Sequence, residues 1–271
     1  MVEQIVSSPD EIRRVRTYIE GFDEHLQGGI PHGHISLIAG SAGTMKSSVC
    51  FNILYGEAVN GRIGLYLSLE QSHQSILNHI INMGYNLNLV NIVVIKDLAD
   101  FQQDVAKVKN SHDKGTIIIV DIGVIRKEVK DVKIDENRSW LNVIKNVVKT
   151  VKDTVGLDVF TLDSMSALYV LSRFKNPRIE LFYIFEFLRD ADVTSLLISE
   201  APSDGSRYGE FDEDFLSDGI IHLRLAAFRR RIVREISVVK MRTTKTNNDL
   251  FSLEFEGGRF KAMYGGQNPL L

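Results

Sequence analysis

The sequence predicts an α/β protein with a mostly parallel central sheet, helices on its faces and an antiparallel meander at its C-terminal end. Two patterns predict it. As far as about residue 218, apolar runs of strand length alternate with stretches of helical period. Such alternation builds right-handed βαβ crossovers and so a parallel sheet. Beyond that point, short apolar strands are separated by polar turns, which signals antiparallel pairing.

The elements follow in order. Residues 34–39 (HISLIA) read as a buried strand running into Gly40, and 47–58 as a helix. Residues 63–69 form a second strand. In 72–83, Ile76, Leu77, Ile80 and Ile81 make one helical face. Residues 91–95 read as a strand and 97–109 as a helical stretch. Residues 116–121 are nearly all Ile and Val, as a strand covered on both faces requires. Residues 139–152 place Leu141, Ile144, Val147, Val148 and Val151 on one stripe. Residues 157–162 form a strand ending at Asp163. Residues 178–189 are a helix with Leu181, Ile184, Phe185 and Leu188 inward, and 193–199 are one more buried strand. The meander comprises 220–227, 232–241, 250–256 and 259–262.

Composition narrows the function classes. The chain of 271 residues is 44% hydrophobic and 25% charged, enough for the core of one large α/β domain. No repeat or Pro/Gly-rich linker divides it, so one domain over 1–271 is expected, with 1–16 as a lead. The net charge of −3 argues against a uniformly basic nucleic-acid-binding surface. Cys50 is the single cysteine, which rules out an internal disulfide and suits a reducing compartment. The N-terminus lacks a basic and an apolar signal region. The longest apolar stretch, 117–125, is interrupted by Asp121 and too short to span a bilayer. A cytoplasmic protein is expected. His32-Gly-His34 has no cysteine or acidic partner nearby for zinc, and no nucleophile elbow, CxxC pair or dinucleotide fingerprint occurs.

The chemistry centres on Gly40-Ser41-Ala42-Gly43-Thr44-Met45-Lys46-Ser47-Ser48, directly after a buried strand and opening a helix. Unpaired N–H groups and the positive end of the helix dipole favour a phosphate there. Gly40 and Gly43 let the backbone curl closely around it. Lys46 would reach the β- and γ-phosphates and Ser47 would ligate Mg²⁺. The P-loop pattern G-x-x-x-x-G-K-[ST] has glycine where this chain has Met45, so the pattern is met only in relaxed form. Asp163 and Asp121 each end a buried strand at the sheet edge where α/β proteins bind ligands. A carboxylate there suits Mg²⁺ or caps a helix.

The segment leading into the loop carries Gly21, Phe22, Asp23, Leu26, Gly28, Gly29, Ile30, Pro31 and Gly33. It resembles the G-[FL]-D-x-x-L-x-G-G-[IL]-P-x-G stretch of the KaiC/RecA superfamily of P-loop ATPases, in particular the archaeal KaiC-domain proteins. The phrase LDSMSAL, the Asp218-Gly219 turn and the Lys240-Met241-Arg242 stretch extend the likeness over residues 17–262. The resemblance implies a RecA-like fold that binds ATP with Mg²⁺, Asp163 rather than Asp121 serving the metal beside Ser47. It implies that Glu70 orients or deprotonates the attacking water, although Gln71 stands where such domains often carry a second glutamate. Ser199 and Glu200 fall where the family senses the γ-phosphate. It further implies that Lys240 and Arg242 reach the nucleotide of an adjacent subunit in a homo-oligomer, possibly a hexamer, with a protein client unspecified. Lying two apart on a strand, they would share a face.

Three functions fit: an ATPase of slow turnover, an ATP-binding regulatory module with little turnover, and a recombinase-like DNA-binding ATPase. Met45 and Gln71 make the second plausible, and the first is the expected one. For the third, residues 169–178, with Arg173, Lys175 and Arg178, and residues 201–215 would be the DNA-facing loops. The latter carries Asp204, Glu210, Asp212, Glu213 and Asp214 against Arg207, which would repel a polyanion. Arg229, Arg230 and Arg231 read as a solvated hairpin tip.

Overall fold

The computed structural model describes residues 12–108, 114–122, 140–172, 174–202 and 204–264. Most of the lead, Lys109, Ser139, Arg173 and the end of the chain lie outside the described residues.

Strands β1 (Arg14–Val15) and β3 (Ile30–Pro31) pair antiparallel around β2 (Ile19–Glu20). Asp23 organises this leading turn. Its carboxylate accepts from the Thr17 N–H and hydroxyl, both at 2.7 Å, and from the Tyr18 N–H at 3.3 Å. Then β4 (Ile35–Gly40), α1 (Lys46–Val59), β5 (Ile63–Ser68), α2 (His73–Asn82), β6 (Asn91–Ile95), α3 (Phe101–Val108) and β7 (Thr116–Asp121) alternate. Helix α4 (Trp140–Val155), β8 (Val159–Asp163), α5 (Met165–Ser172), α6 (Pro177–Asp190), β9 (Thr194–Glu200) and the short α7 (Glu213–Leu216) follow. The hairpin β10 (Gly219–Phe228) and β11 (Arg231–Met241), with β12 (Phe251–Glu256) and β13 (Arg259–Tyr264), completes the chain.

Among the described residues, eleven strands form one sheet in the order β2-β13-β12-β11-β10-β4-β9-β8-β5-β7-β6. From β10 to β6 all neighbours are parallel, and β11 to β13 add the antiparallel meander. The expected fold class is therefore the observed one. Because side chains alternate across a strand, each central strand feeds two cores. Leu37, Leu67, Val120, Leu162 and Leu197 pack with α3, α4, α5 and α6. Ile38, Tyr66, Ile119, Val159 and Ile198 pack with α1, α2 and the meander. We call these the α4 face and the α1 face. No helix among the described residues is long and apolar enough to cross a membrane.

Two local readings change. Residues 169–172, expected in a loop, close helix α5, which Met165 and Leu168 anchor in the α4-face core. The second change is a β-bulge. Ile220 pairs with Lys240 but Ile221 pairs with Val238, leaving Val239 unpaired. Bulges re-aim the side chains that follow. Ile236 and Val238 belong to the α1 face, whereas Lys240 stands opposite Ile220 on the α4 face. β11 ends at Met241, so Arg242 lies in the turn beyond it and not on the strand.

Asp218 ties this end of the sheet together. Its carboxylate accepts from the Ile35 N–H at 3.1 Å and from Arg242 Nη1 at 2.9 Å. Removing it leaves a buried N–H unsatisfied, at a cost of roughly 1–3 kcal/mol. Asp218→Ala is expected to lower the unfolding free energy by about 2 kcal/mol in urea titration, and Asp218→Asn by less. An unchanged midpoint for Asp218→Ala would remove this tie from the account.

Candidate functional site

The phosphate-loop candidate leaves the sheet at the end of β4, between β9 and β10. A Cβ on Gly40 would stand 2.2 Å from the Leu223 carbonyl oxygen and 3.0 Å from Thr44 Oγ1. Glycine is thus required here by the close approach of β10. The Thr44 hydroxyl donates to the Ser41 carbonyl at 2.8 Å. Gly43 has φ +80° with open space around its Cα, so backbone conformation is what glycine supplies there.

Met45 adopts φ +74°, the left-handed region that the glycine of the P-loop pattern favours. A side chain in that region costs roughly 1–2 kcal/mol. The loop keeps its course into the helix all the same: Val49 N–H donates to the Met45 carbonyl at 2.9 Å and α1 starts at Lys46. Met45 packs half-buried against the α1-face core.

Lys46 folds over the loop, donating to the carbonyls of Gly40 and Ser41, both at 2.9 Å. Burial lowers its pKa, and the carboxylates of Glu200, Asp163 and Glu70 oppose that shift. Sheet register brings these acids together. Asp163 pairs with Ser68 at the end of β5, and Glu200 with Gly40. Tyr66 donates to Asp163 Oδ2, and Ser47 is also hydrogen-bonded to that carboxylate. Burial raises the Asp163 pKa and Glu70 adds to the rise, against the two hydroxyl donors and Lys46. Asp121, level with Asp163 on the other side of β5, is engaged elsewhere. Its Oδ2 accepts from the His73 N–H at 2.8 Å and lies 2.9 Å from His73 Nδ1. The structure therefore brings Asp163 to Ser47 and gives Asp121 to the start of α2.

Glu70 lies two residues past β5 and not on the strand. Ser164 donates to Glu70 Oε1, and the Leu69 N–H donates to the Asp163 carbonyl at 2.6 Å, which holds Glu70 beside β8. Ser68 fixes the turn by donating to the Gln71 carbonyl at 2.7 Å. Three members of this cluster were missed in the sequence: Tyr66, Ser164 as a partner of Glu70, and His79, which shares a 2.8 Å hydrogen bond with Ser48. Only Tyr66 left a signal, a polar tip within an apolar strand.

Lys240 and Arg242 are not in this cluster. Gly219 pairs with both Met241 and Ser36, so they sit at the far end of β4, about 13 Å below Gly40 at the usual strand rise. The bulge also turns Lys240 to the α4 face, whereas α1 lies on the other. Within its own subunit Lys240 Nζ donates to the carbonyls of Asp214 at 2.9 Å and Ser217 at 2.6 Å. Burial lowers its pKa, with Arg242 adding to the shift.

Among the described residues, parts of the segments considered for DNA are tied into the subunit. Arg178 pairs with Asp212 at 3.2 Å. Glu213 is buried, accepting from Tyr169 and from the N–H groups of Glu210 and Phe211. It is an anchor of its loop and not one of the surface charges the sequence suggested. Among the described residues, no group of three or more His, Cys, Asp or Glu side chains could hold a metal ion.

A family model described as "ATPase: KaiC" matches residues 15–259. A UPF0273 protein of Pyrobaculum aerophilum is 25% identical over 93% of this chain and 83% of its own length. A UPF0273 protein of Saccharolobus solfataricus is 28% identical over 86% and 77%. The circadian clock oscillator protein KaiC of Thermosynechococcus vestitus is 25% identical over 88% of this chain, which spans 42% of that longer protein. A solved KaiC-like protein of Pyrococcus horikoshii has the same fold, with a TM-score of 0.70 at 22% identity over 93% of this chain and 99% of that one.

The backbone at Met45 generates a test whose sign is diagnostic. Met45→Ala keeps the left-handed cost and loses the packing, so it is expected to destabilise by about 1 kcal/mol. Met45→Gly loses the same packing but relieves the backbone, and is expected to stay within about 0.5 kcal/mol of wild type in urea titration. If Gly proves the more damaging of the two, residue 45 is not left-handed.

Proposed function

The chain belongs to the KaiC ATPase family, and on that premise we propose that it binds Mg·ATP at residues 40–48 and hydrolyses it slowly at a contact between subunits. The observation that supports this reading most is the convergence of Lys46, Ser47, Asp163 and Glu70 at the start of α1, while Lys240 and Arg242 stand at the opposite end of the sheet.

In this reading the loop N–H groups take the phosphate oxygens. Lys46 exchanges the carbonyls of Gly40 and Ser41 for the β- and γ-phosphates, moving its charge only slightly. The Ser47 hydroxyl and the buried Asp163 carboxylate make an all-oxygen pair, the donor type a hard divalent cation takes alongside substrate phosphates. The metal supplies neutralisation of the charge on those phosphates. Glu70, fixed by Ser164, accepts a proton from the attacking water. The water oxygen bonds to the γ-phosphorus as the bond to the β–γ bridging oxygen breaks, and ADP and phosphate leave. Lys240 and Arg242 are too far from their own loop to assist, so their charge acts on a neighbour's γ-phosphoryl group. Residues 17–262 work as one ATPase domain in a homo-oligomer, with the nucleotide gating a regulatory or assembly role in the cytoplasm.

A second reading, an ATP-binding module with little turnover, is favoured by Met45 and by the single glutamate before Gln71.

Lys46→Ala is expected to abolish binding of a fluorescent ATP analogue. Glu70→Gln is expected to keep binding but lose at least about 100-fold in turnover, since a positioned base contributes roughly 10²–10⁴-fold. Equal, near-zero rates for wild type and Glu70→Gln overturn the hydrolytic reading in favour of the module. Mixing Glu70→Gln with Lys240→Ala subunits tests the interface, because one site in the mixture combines an intact Glu70 with a neighbour's intact Lys240. Turnover above the mean of the separate variants is expected, and an additive result rejects action between subunits.

A further inference from the structure

A groove of about 1250 Å³ opens beside the Gly40–Ser48 loop, in the cleft between the end of the β10–β11 hairpin and β12. Met45, Ile232, Leu250 and Phe255 give it apolar walls. The rest is the tip of the β10–β11 hairpin, which is long. Leu223 is level with Gly40, and β10 continues five residues further to Phe228, about 16 Å beyond the loop. Arg229, Arg230 and Arg231 form the tip, and Arg234 donates to the Gly43 carbonyl at 3.2 Å. Among the described residues none of the four has an ion-pair partner. Of the acids on the groove, Glu235 is taken by Arg224 at 2.6 Å, leaving Glu254 and Glu256 on β12. Four cations around an apolar floor suit an anionic partner that also offers an apolar side chain.

The chain carries such a segment in residues 210–215 (EFDEDF). Phe211 and Leu216 pack into the α4-face core, and the buried Glu213 fixes the turn. Glu210 and Asp214 remain at least partly exposed near Phe215, which is 68% exposed, while Asp212 is taken by Arg178 at 3.2 Å. Lys240 holds the Asp214 carbonyl at the Ser36 end of β4, whereas the groove lies beyond the Gly40 end, so Asp214 and Phe215 stand away from the groove of their own subunit. Groove and segment can meet head-to-tail between subunits, in a contact that repeats around a ring.

We propose that the groove between Met45 and the arginine tip receives the acidic 210–215 segment of a second copy of this chain. The inference rests on the subunit-contact reading above and names the surfaces that make the contact. The placement is consistent with that reading on both sides. Lys240 is bonded to the Asp214 carbonyl on the donating subunit, and Met45 directly precedes Lys46 on the receiving one. Seating Phe215 between Met45 and Phe255 brings Lys240 toward the neighbour's phosphate loop, so assembly and nucleotide contact share one surface.

The experiment is a charge exchange, read by sedimentation of the full chain with ATP and magnesium. The groove variant is Arg230→Glu with Arg231→Glu, and the segment variant is Glu210→Lys with Asp214→Lys. Each alone is expected to weaken self-association by about 10-fold or more, since like charges now face each other. An equal mixture is expected to recover wild-type association within about 3-fold, because each reversed surface finds its complement. Wild-type assembly by either variant, no recovery in the mixture, or a wild type that stays monomeric overturns the proposal. Should reversal unfold the hairpin, Arg230→Gln with Arg231→Gln, and Phe215→Ala, are expected to show the same weakening, and unaltered association in both rejects it. Binding of the fluorescent ATP analogue is measured on the same samples. If the groove variant loses it as Lys46→Ala does, the groove holds its own subunit's nucleotide and the proposal fails. If wild type binds no analogue while the charge exchange still works, the ATP reading fails and the contact stands.

Discussion

The approach of β10 to β4 at Gly40 sets the course of everything around the candidate site. With the Leu223 carbonyl 2.2 Å from where a Cβ would sit, the chain has no room for a side chain at that point. The loop therefore leaves β4 close against a rigid neighbour, and it leaves near the centre of the sheet, with β9 on the other side of β4 and β8 next after it. Parallel register then carries Glu200 to the level of Gly40 and Asp163 to the end of β5. Lys46 reaches back over the same loop to the Gly40 and Ser41 carbonyls. The acids stand near a single ammonium because strand ends share a level.

The sheet divides its labour by face, and a single extra residue decides on which face one of the cations works. Without the bulge at Val239, Lys240 would continue the series of Ile236 and Val238 and point into the α1-face core. With it, Lys240 joins Ile220 on the other face, where it holds the carbonyls of Asp214 and Ser217. The cation is thus half-sheltered in the isolated subunit, at the opposite end of the sheet from its own phosphate loop. The head-to-tail contact proposed above would carry it to the Gly40–Ser48 loop of a neighbour.

Met45 shows how the loop tolerates a departure from its pattern. Glycine at this place is a matter of φ, and methionine accepts the left-handed value at roughly 1–2 kcal/mol. Its thioether side chain, adaptable in packing, lies half-buried against the α1-face core and on the wall of the arginine groove. The residue that strains the loop also helps to link the loop to its surroundings.

The sequence by itself determined the alternation of elements, the switch to a meander near residue 218, the family and the place of the Gly40–Ser48 loop between strand and helix. These were legible because each depends on local order: apolar period sets helix or strand, and glycines next to a buried strand set a tight turn. Strands 91–95 and 116–121 were bounded to the residue for the same reason. Tertiary structure decided which of two equivalent aspartates meets Ser47, because Asp121 and Asp163 differ only in what lies across from them. His73 takes the first, and Tyr66 with Ser47 holds the second. It also decided that Glu213 is an anchor and not a surface charge, and that Lys240 and Arg242 do not share a strand face. A bulge leaves no mark in a one-dimensional pattern of period two, since its extra residue is defined by the pairing partner. Contacts between residues 40 and 223, or 70 and 164, exist only once the sheet has ordered its strands.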